Sequence, residues 1–460
     1  MPIKSVHITN YYHESSGGIS TSFNDLLDAA ARHRRYVRLI VPGPTDIVKD
    51  VNEYARIYYV RSIKAPVIDR RYRMIMPWQY LIRGTPVHTI LLNEMPDMIE
   101  VTDKYSISMI GAKVRRGKFK QVGRPMLVHS SCERMDDNVL AFLGDARIGK
   151  WLSRRVIGNY IFPSFDFHLA NSKYTADEFY QSIDPSANPD RSKWFFKKCW
   201  QWLRSPQVNV RERIYVHPCG VDIAQFSPDR RSAAIRSEMI ERTQIERNST
   251  ILLYAGRLSQ EKNLTLLVDI MKLLSLDPTN DFRLLVAGNG PLRKWLSTEG
   301  EKLGGNKIIQ LGNVDRDTLA NYYANADVFI HPNPREPFGI APLEAMASGL
   351  PTIAPNSGGI LTYATKENSW LIEPTGEAAA TAARQIISDD QTRKQKIANA
   401  LVTARSHTRE SAAADLFAAY DKMHSDFIKR HDLYADRQAS SMFEFDSILA
   451  SDQNAQMCLE

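Results

Sequence analysis

Short apolar runs ending in glycine or a small polar residue, each followed by helical spacing, recur along most of this 460-residue chain. "KSVHIT" (Lys4–Thr9) alternates as a strand. Gly17 and Gly18 follow, and "ISTSFNDLLDAAAR" (Ile19–Arg32) has its apolar residues at helical spacing. "YVRLIVPG" (Tyr36–Gly43) is the next strand. Strand, glycine loop, helix, strand is how a parallel α/β sheet begins. "HTILLNE" to Glu94, "MLVHS" to Ser130 and "FDFHLANS" (Phe165–Ser172) read as further strands. A second run opens at "TILLYAGR" (Thr250–Arg257) and continues through "FRLLVAG", "KIIQLG", "DVFIHP", "PTIAP" and "SWLIEP". Helical patterns separate them at Asn263–Ser275, Pro291–Leu303, Arg316–Ala324 and Ala341–Ser348. From Glu377 to about Arg430 the pattern is helical, and residues 431–460 are polar and without period, as in a disordered tail.

Two such runs predict an α/β chain of two doubly wound, Rossmann-like domains, 1–220 and 221–408, facing across a cleft. Ligands of such sheets bind at the C-terminal ends of the strands, so the cleft is the expected active site. Residues 185–213 break the rhythm. They crowd Trp194, Phe195, Phe196, Trp200 and Trp202 among Lys and Arg, as an insertion in the first domain.

Charge is uneven. Residues 1–220 carry 33 Lys and Arg against 21 Asp and Glu, while residues 221–460 carry 26 against 31. A basic first half suits an anionic partner or is simply a solvated face. "GAKVRRGKFKQVGR" (Gly111–Arg124) has six basic residues and no acid. No window approaches the ~18 continuous apolar residues of a membrane span. The start, "MPIKSVHITNYY", lacks a signal-peptide core. The expectation is a cytoplasmic protein that can touch the inner face of an anionic membrane. Cys132, Cys199, Cys219 and Cys458 form no zinc spacing and are expected as reduced thiols, with no metal site. Asp136 and Asp137 are adjacent in "RMDDN" and would diverge on a helix.

The chemistry concentrates in "REPFGIAPLEAMASGLP" (Arg335–Pro351). Glu336 falls in a strand-to-helix loop. Phe338, Gly339, Ile340 and Ala341 form the expected first helical turn, whose free N–H groups suit an oxygen-rich ligand. Glu344 lies one turn deeper, where a carboxylate can accept from a vicinal diol. Arg257 and Lys262 put two cations at one strand end, enough to neutralise a diphosphate. Salt bridges to Glu261 are the structural alternative. "VAGNGP" (Val286–Pro291) is a further glycine-lined turn. His129 ends a strand and is expected to face the cleft. No Walker A motif and no complete GxGxxG appears, against a P-loop ATPase or an NAD enzyme.

Together these segments resemble the retaining glycosyltransferases of family 4, which have the two-domain GT-B fold. The likeness runs from the Gly17–Gly18 loop to about residue 425, and is strongest at Glu336-x7-Glu344. "HPCGVDIAQFSP", "YAGRLSQEKNL", "LLVAGNGP" and "LGNVDRDTLANYYANADVFIHP" occur in the family's order. The resemblance implies that residues 1–220 bind the acceptor, that 221–408 bind the nucleotide sugar, and that a helix at 409–430 returns toward the first domain. It implies that Arg257 and Lys262 neutralise the diphosphate, Glu344 binds the ribose and Glu336 holds the sugar hydroxyls. His129 would approach the transferred sugar, Gly17 and Gly18 the phosphate, the Phe338–Ala341 backbone the donor, and Val314 the base. The implied activity is transfer of a hexose from a UDP-hexose or GDP-mannose to a hydroxyl, with retention and without metal or cofactor. The acceptor would be lipid-linked or a glycan, in cell-surface glycan or glycolipid synthesis. A soluble acceptor, a non-catalytic nucleotide-sugar-binding subunit, a phosphorylase-like enzyme and nucleic-acid binding are the competing readings. The phosphorylase has no lysine context for pyridoxal phosphate, and no nucleic-acid module is legible.

Overall fold

The computed structural model describes residues 2–13, 17–64, 73–184 and 194–434. The chain forms two compact units, residues 1–217 with 413–460, and residues 218–412.

The first unit holds β1 (Ser5–Ile8), β2 (Val37–Gly43), β3 (Ile47–Asp50), β4 (Ala55–Arg61), a small hairpin of β5 (Ile63–Lys64) and β6 (Arg73–Met74), β7 (Met98–Val101), β8 (Met126–Ser131), β9 (Phe167–Ala170) and β10 (Ile214–Val216). Its main sheet has the order β10-β9-β8-β7-β1-β2-β4-β3. All its neighbours are parallel except the antiparallel edge strand β3. The chain winds outward from β1 through β2, then restarts at β7 on the other side, so its reversal lies between β1 and β7. Alternate residues feed two cores: Val6, Ile8 and Leu127 on one face, Leu39, Met126 and Val128 on the other. The second face is covered in part by the C-terminal helix Arg409–Lys429, through Phe417, Tyr420, Met423 and Phe427.

"HTILLNE" is a helix, Pro86–Glu94, and not a strand. Proline at the first helical position is preset for a helix, and Val87 and Leu91, one turn apart, are buried together. The neighbouring strand is instead β7, "MIEV". Glu100 interrupts its apolar run and is satisfied inside the fold by Tyr420 and by His7 at 3.4 Å. The aromatic stretch is likewise no appendage. Residues 185–193 lie outside the described residues, but Trp194–Trp202 is a helix whose Phe196 and Trp200 are core residues. Trp200 Nε1 donates to the Gly158 carbonyl at 2.8 Å. Nor does structure stop at residue 430. His431–Tyr434 is a short helix, and Tyr434 is buried against Phe167 and Phe427. Residues 435–460 lie outside the described residues.

The basic run Gly111–Arg124 is partly internal. Arg115 is fully buried against Asp166, and Arg124 donates twice to the same carboxylate at 2.8 Å. Burial opposes ionisation of Asp166, yet the two guanidiniums hold its carboxyl at about 2. Arg213 lies over the Phe162 ring at 4.6 Å, and burial with Arg115 nearby lowers it to about 9.

The second unit is one parallel sheet of β11 (Thr250–Ala255), β12 (Phe282–Ala287), β13 (Ile308–Gly312), β14 (Val328–Ile330), β15 (Thr352–Pro355) and β16 (Trp370–Ile372). Its order is β13-β12-β11-β14-β15-β16, so the reversal falls between β11 and β14. Helices cover both faces, with Ile251 and Leu253 packed into one core and Leu252 and Tyr254 into the other. Near-continuous apolar strands are the mark of a sheet buried on both sides. The helical pattern after Glu377 resolves into Gly376–Ser388, Asp390–Ser406 and Arg409–Lys429.

Among the described residues no helix is long and apolar enough to cross a membrane. Among the described residues Cys132, Cys199 and Cys219 form no disulfide, and Cys458 lies outside them.

Candidate active site

The β11/β14 reversal gathers most of the second-domain residues singled out above. Lys262 closes a short turn after β11, and Asn263, in the left-handed region at φ 52°, opens the helix Leu264–Leu274. Asn263 Nδ2 donates to the Pro332 carbonyl at 2.9 Å, tying this loop to the one that follows β14. That tie brings Lys262 Nζ to 2.8 and 3.0 Å from the two Glu336 oxygens. Lys262 therefore pairs with Glu336 and not with Glu261, which accepts from Ser259. Asn333 Nδ2 donates to Glu336 at 2.9 Å, and His331 Nε2 is 3.7 Å away. Burial works against the Glu336 charge, but Lys262, His331 and Asn333 hold its carboxyl at about 2. Burial, with Lys262 adding to it, lowers His331 to about 4, so it is neutral at pH 7.

Glu336 and Glu344 are not on one helix. The helix is Ile340–Ala347, with Gly339 as its cap at φ 90°. A Cβ at Gly339 would meet the Tyr363 hydroxyl at 3.1 Å and Glu336 Cγ at 3.4 Å, in a conformation side chains rarely adopt. Tyr363 donates to the Gly339 carbonyl. The Phe338 ring is buried beside Tyr363. Ile340 and Ala341 open the helix, and Glu344, half-buried, accepts from the Tyr323 hydroxyl at 3.2 Å. Gly359 N donates to the Glu336 carbonyl at 2.6 Å, and a Cβ at Gly359 would sit 1.8 Å from the Pro337 carbonyl. This glycine pair, Gly358–Gly359, backs the Glu336 loop.

Arg257 is half-buried just beyond β11, where its carbonyl accepts from Tyr254 at 3.0 Å. The "VAGNGP" turn is bound to the same loop: Leu258 N donates to the Asn289 carbonyl and Leu292 N to the Leu258 carbonyl. Val314, half-buried, lies between β13 and the helix Arg316–Asn325. His331, Asn333 and Gly358–Gly359 carried no spacing signal. "FIHPN" does put a histidine and an asparagine at the strand end just before Glu336, which is where such partners could be sought.

The first unit has its own polar group at the β1/β7 reversal, which no motif marked. Asn10 Nδ2 donates to Asp103 at 3.1 Å, and the Asp103 carboxylate accepts from three backbone N–H groups of its own loop. Lys104 pairs with Glu178 at 2.6 Å, both nearly without exposure. Tyr11 donates to Glu133 at 2.8 Å, and burial pushes the Glu133 carboxyl up. Gly17 and Gly18 are exposed at the start of the helix Gly17–Arg32, and residues 14–16 lie outside the described residues. His129 does not face outward. It is fourth in β8, fully buried, with its ring among Phe165, His168 and Phe179. Burial and the nearby Lys104 charge keep it neutral. The strand continues past His129 to Ser131, so His129 lies inside the sheet and not at its edge.

Two doubly wound units give the chain the GT-B fold, and the second carries a carboxylate–lysine pair at its sheet reversal. The chain matches the family "Glycosyl transferases group 1" over residues 235–402. It is 28% identical over 427 residues to the GDP-mannose-dependent alpha-(1-6)-phosphatidylinositol dimannoside mannosyltransferase of Mycobacterium tuberculosis, covering 91% of this chain and 96% of that one. It is 23% identical to a GDP-mannose-dependent alpha-mannosyltransferase of Corynebacterium glutamicum, covering 91% and 89%. The Anabaena HepE structure with UDP and glucose has the same fold, with TM-score 0.63 and 16% identity over 91% of this chain and all of that one.

Proposed function

We propose that this protein is a retaining, metal-independent hexosyltransferase that moves mannose from GDP-mannose to a hydroxyl of a lipid-linked acceptor. The observation that carries the reading is the Lys262–Glu336–Asn333 cluster at the β11/β14 reversal. The donor assignment is supported by two relatives named for GDP-mannose that align along nine-tenths of the chain. The acceptor assignment is supported by the first of these, which is named for a phosphatidylinositol mannoside.

In this reading Glu336 accepts hydrogen bonds from the sugar hydroxyls and Glu344 from the ribose. Val314 lies at the base, and the backbone from Gly339 to Ala341 meets the donor oxygens. An ammonium has three donors, and Lys262 places two on Glu336, leaving one for the diphosphate. Arg257 supplies a second cation. As the bond from the anomeric carbon to the phosphate oxygen breaks, its electrons stay on the diphosphate, where these cations stabilise them. The acceptor oxygen bonds to the same face of the oxocarbenium-like carbon, and its proton passes to the departing phosphate oxygen. The charge is met by protein groups, so the step calls for neither metal nor cofactor. His129 is fully buried in the first unit.

The test is transfer from labelled GDP-mannose into an organic-extractable acceptor, with the new anomeric configuration read by NMR. An alpha-linked lipid product supports the reading. A beta-linked product removes retention, label only in water-soluble product removes the lipid acceptor, and donor binding without turnover points to a non-catalytic subunit.

A further inference from the structure

We propose that two helices of the first unit, Ala146–Val156 and Trp194–Trp202, form a docking surface for an anionic lipid bilayer. This deepens the reading above, which gives the acceptor a lipid anchor, but it stands on surface chemistry alone.

Each helix is divided the same way. In Trp194–Trp202, Phe196 and Trp200, four apart, are core residues. The opposite side carries Trp194, Phe195 and Trp202, which are 71, 59 and 56% exposed, with Lys198 on the same side. In Ala146–Val156, Gly149 and Ser153 are the buried pair. Ile148 and Trp151, 47 and 52% exposed, lie on the outer side. The first helix runs into the segment Ile157–Ile161, and the second is bolted to that segment by Trp200 and Gly158. The two outer faces therefore share one support.

Each exposed indole of these two helices has a cation beside it. Arg155 lies over Trp151 at 4.4 Å, Lys198 over Trp194 at 5.8 Å, and Arg116 over Trp202 at 3.9 Å. Neither helix contains an acid. Exposed aromatics with interleaved Lys and Arg are the pattern of a helix lying in a headgroup layer, where rings enter the acyl boundary and cations meet lipid phosphates. A protein partner fits less well, because the buried centre of a protein interface is depleted in lysine, and here lysines stand among the rings. The sign matches the basic first half of the chain, with its 33 Lys and Arg against 21 Asp and Glu over residues 1–220.

Co-sedimentation of the full chain with vesicles tests this. Wild type should bind vesicles of mixed phosphatidylglycerol and phosphatidylcholine, and lose binding on pure phosphatidylcholine or in about 0.5 M salt. Trp194→Ser with Trp202→Ser should weaken binding about tenfold, and Arg155→Glu with Lys198→Glu should do so by at least that factor. Melting temperature and GDP-mannose hydrolysis should stay at wild-type values in both. Equal binding to both lipids, no binding, or variants that bind like wild type would each overturn the surface. So would a wild-type dimer by light scattering that the Trp variant loses, which would assign the face to a second copy. Lost vesicle binding with hydrolysis intact removes only this inference. Vesicle binding with no hydrolysis of any donor removes only the reaction.

Discussion

The two sheets reverse direction once each, and the two reversals are built with opposite priorities. At β1/β7 the charged groups are paired with one another out of water; the Lys104 and Glu178 side chains are 2 and 3% exposed. At β11/β14 the pair is shallower, with Lys262 at 24% and Glu336 at 13%. A buried network fixes a shape, because breaking it strands an uncompensated charge. A partly exposed pair can exchange partners with an anionic ligand at smaller cost. The second reversal is thus the one suited to a diphosphate that arrives and leaves.

Predictions follow that contrast. The largest effect is expected in the first unit, away from the site. Asp166→Ala leaves Arg115 and Arg124 facing an empty buried position, and should cost about 3–5 kcal/mol by denaturant titration. A loss under about 1 kcal/mol would show that the cluster is solvated. In the second unit, Glu336→Gln should lower turnover by about 10²–10³, the size seen when one transition-state contact is removed, and should also lose the stability that the ionised carboxylate contributes beside Lys262. Lys262→Met should act on both. It leaves Glu336 without its cation, so the carboxyl rises from about 2. A depressed carboxyl contributes stability above its ordinary value near 4.5 and loses it as pH falls toward about 2. Wild type should therefore lose stability across that window, and Lys262→Met should show a flatter acid limb. Glu344→Gln should raise the Kd for donor about tenfold. The smallest effect is expected from Tyr363→Phe, which frees the Gly339 carbonyl. About 1 kcal/mol of stability should go, with turnover within a few-fold of wild type.

Legibility followed the same division. Most of the second sheet could be read, because its buried parallel strands are continuous apolar runs and its loops carry Arg257, Lys262, Glu336 and Glu344 at motif spacing. The first sheet could be read only in part. β7 holds a glutamate satisfied by a tyrosine 320 positions away, and no local pattern announces such a partner. The helix Pro86–Glu94 looked like a strand because its apolar residues are branched and adjacent, and only Pro86 signalled otherwise. Trp200 and Trp202 look alike in sequence, yet one is core and the other exposed. Composition counts both, while only helical phase separates them. His129 fails for a related reason. Its strand runs past it, so a residue placed at the edge by motif ends up in the interior.

The central claim is that the Lys262–Glu336 pair of the second unit takes a nucleotide sugar. The most direct measurement is calorimetric titration of GDP-mannose, UDP-glucose, UDP-galactose, UDP-N-acetylglucosamine and ADP-glucose into wild type, Glu336→Ala and Arg257→Ala. The account predicts that GDP-mannose binds best to wild type, is slowly hydrolysed by it, and is bound weakly and left intact by both variants. Binding of GDP-mannose that both variants retain unchanged, or folded wild type that binds none of the five, would contradict it.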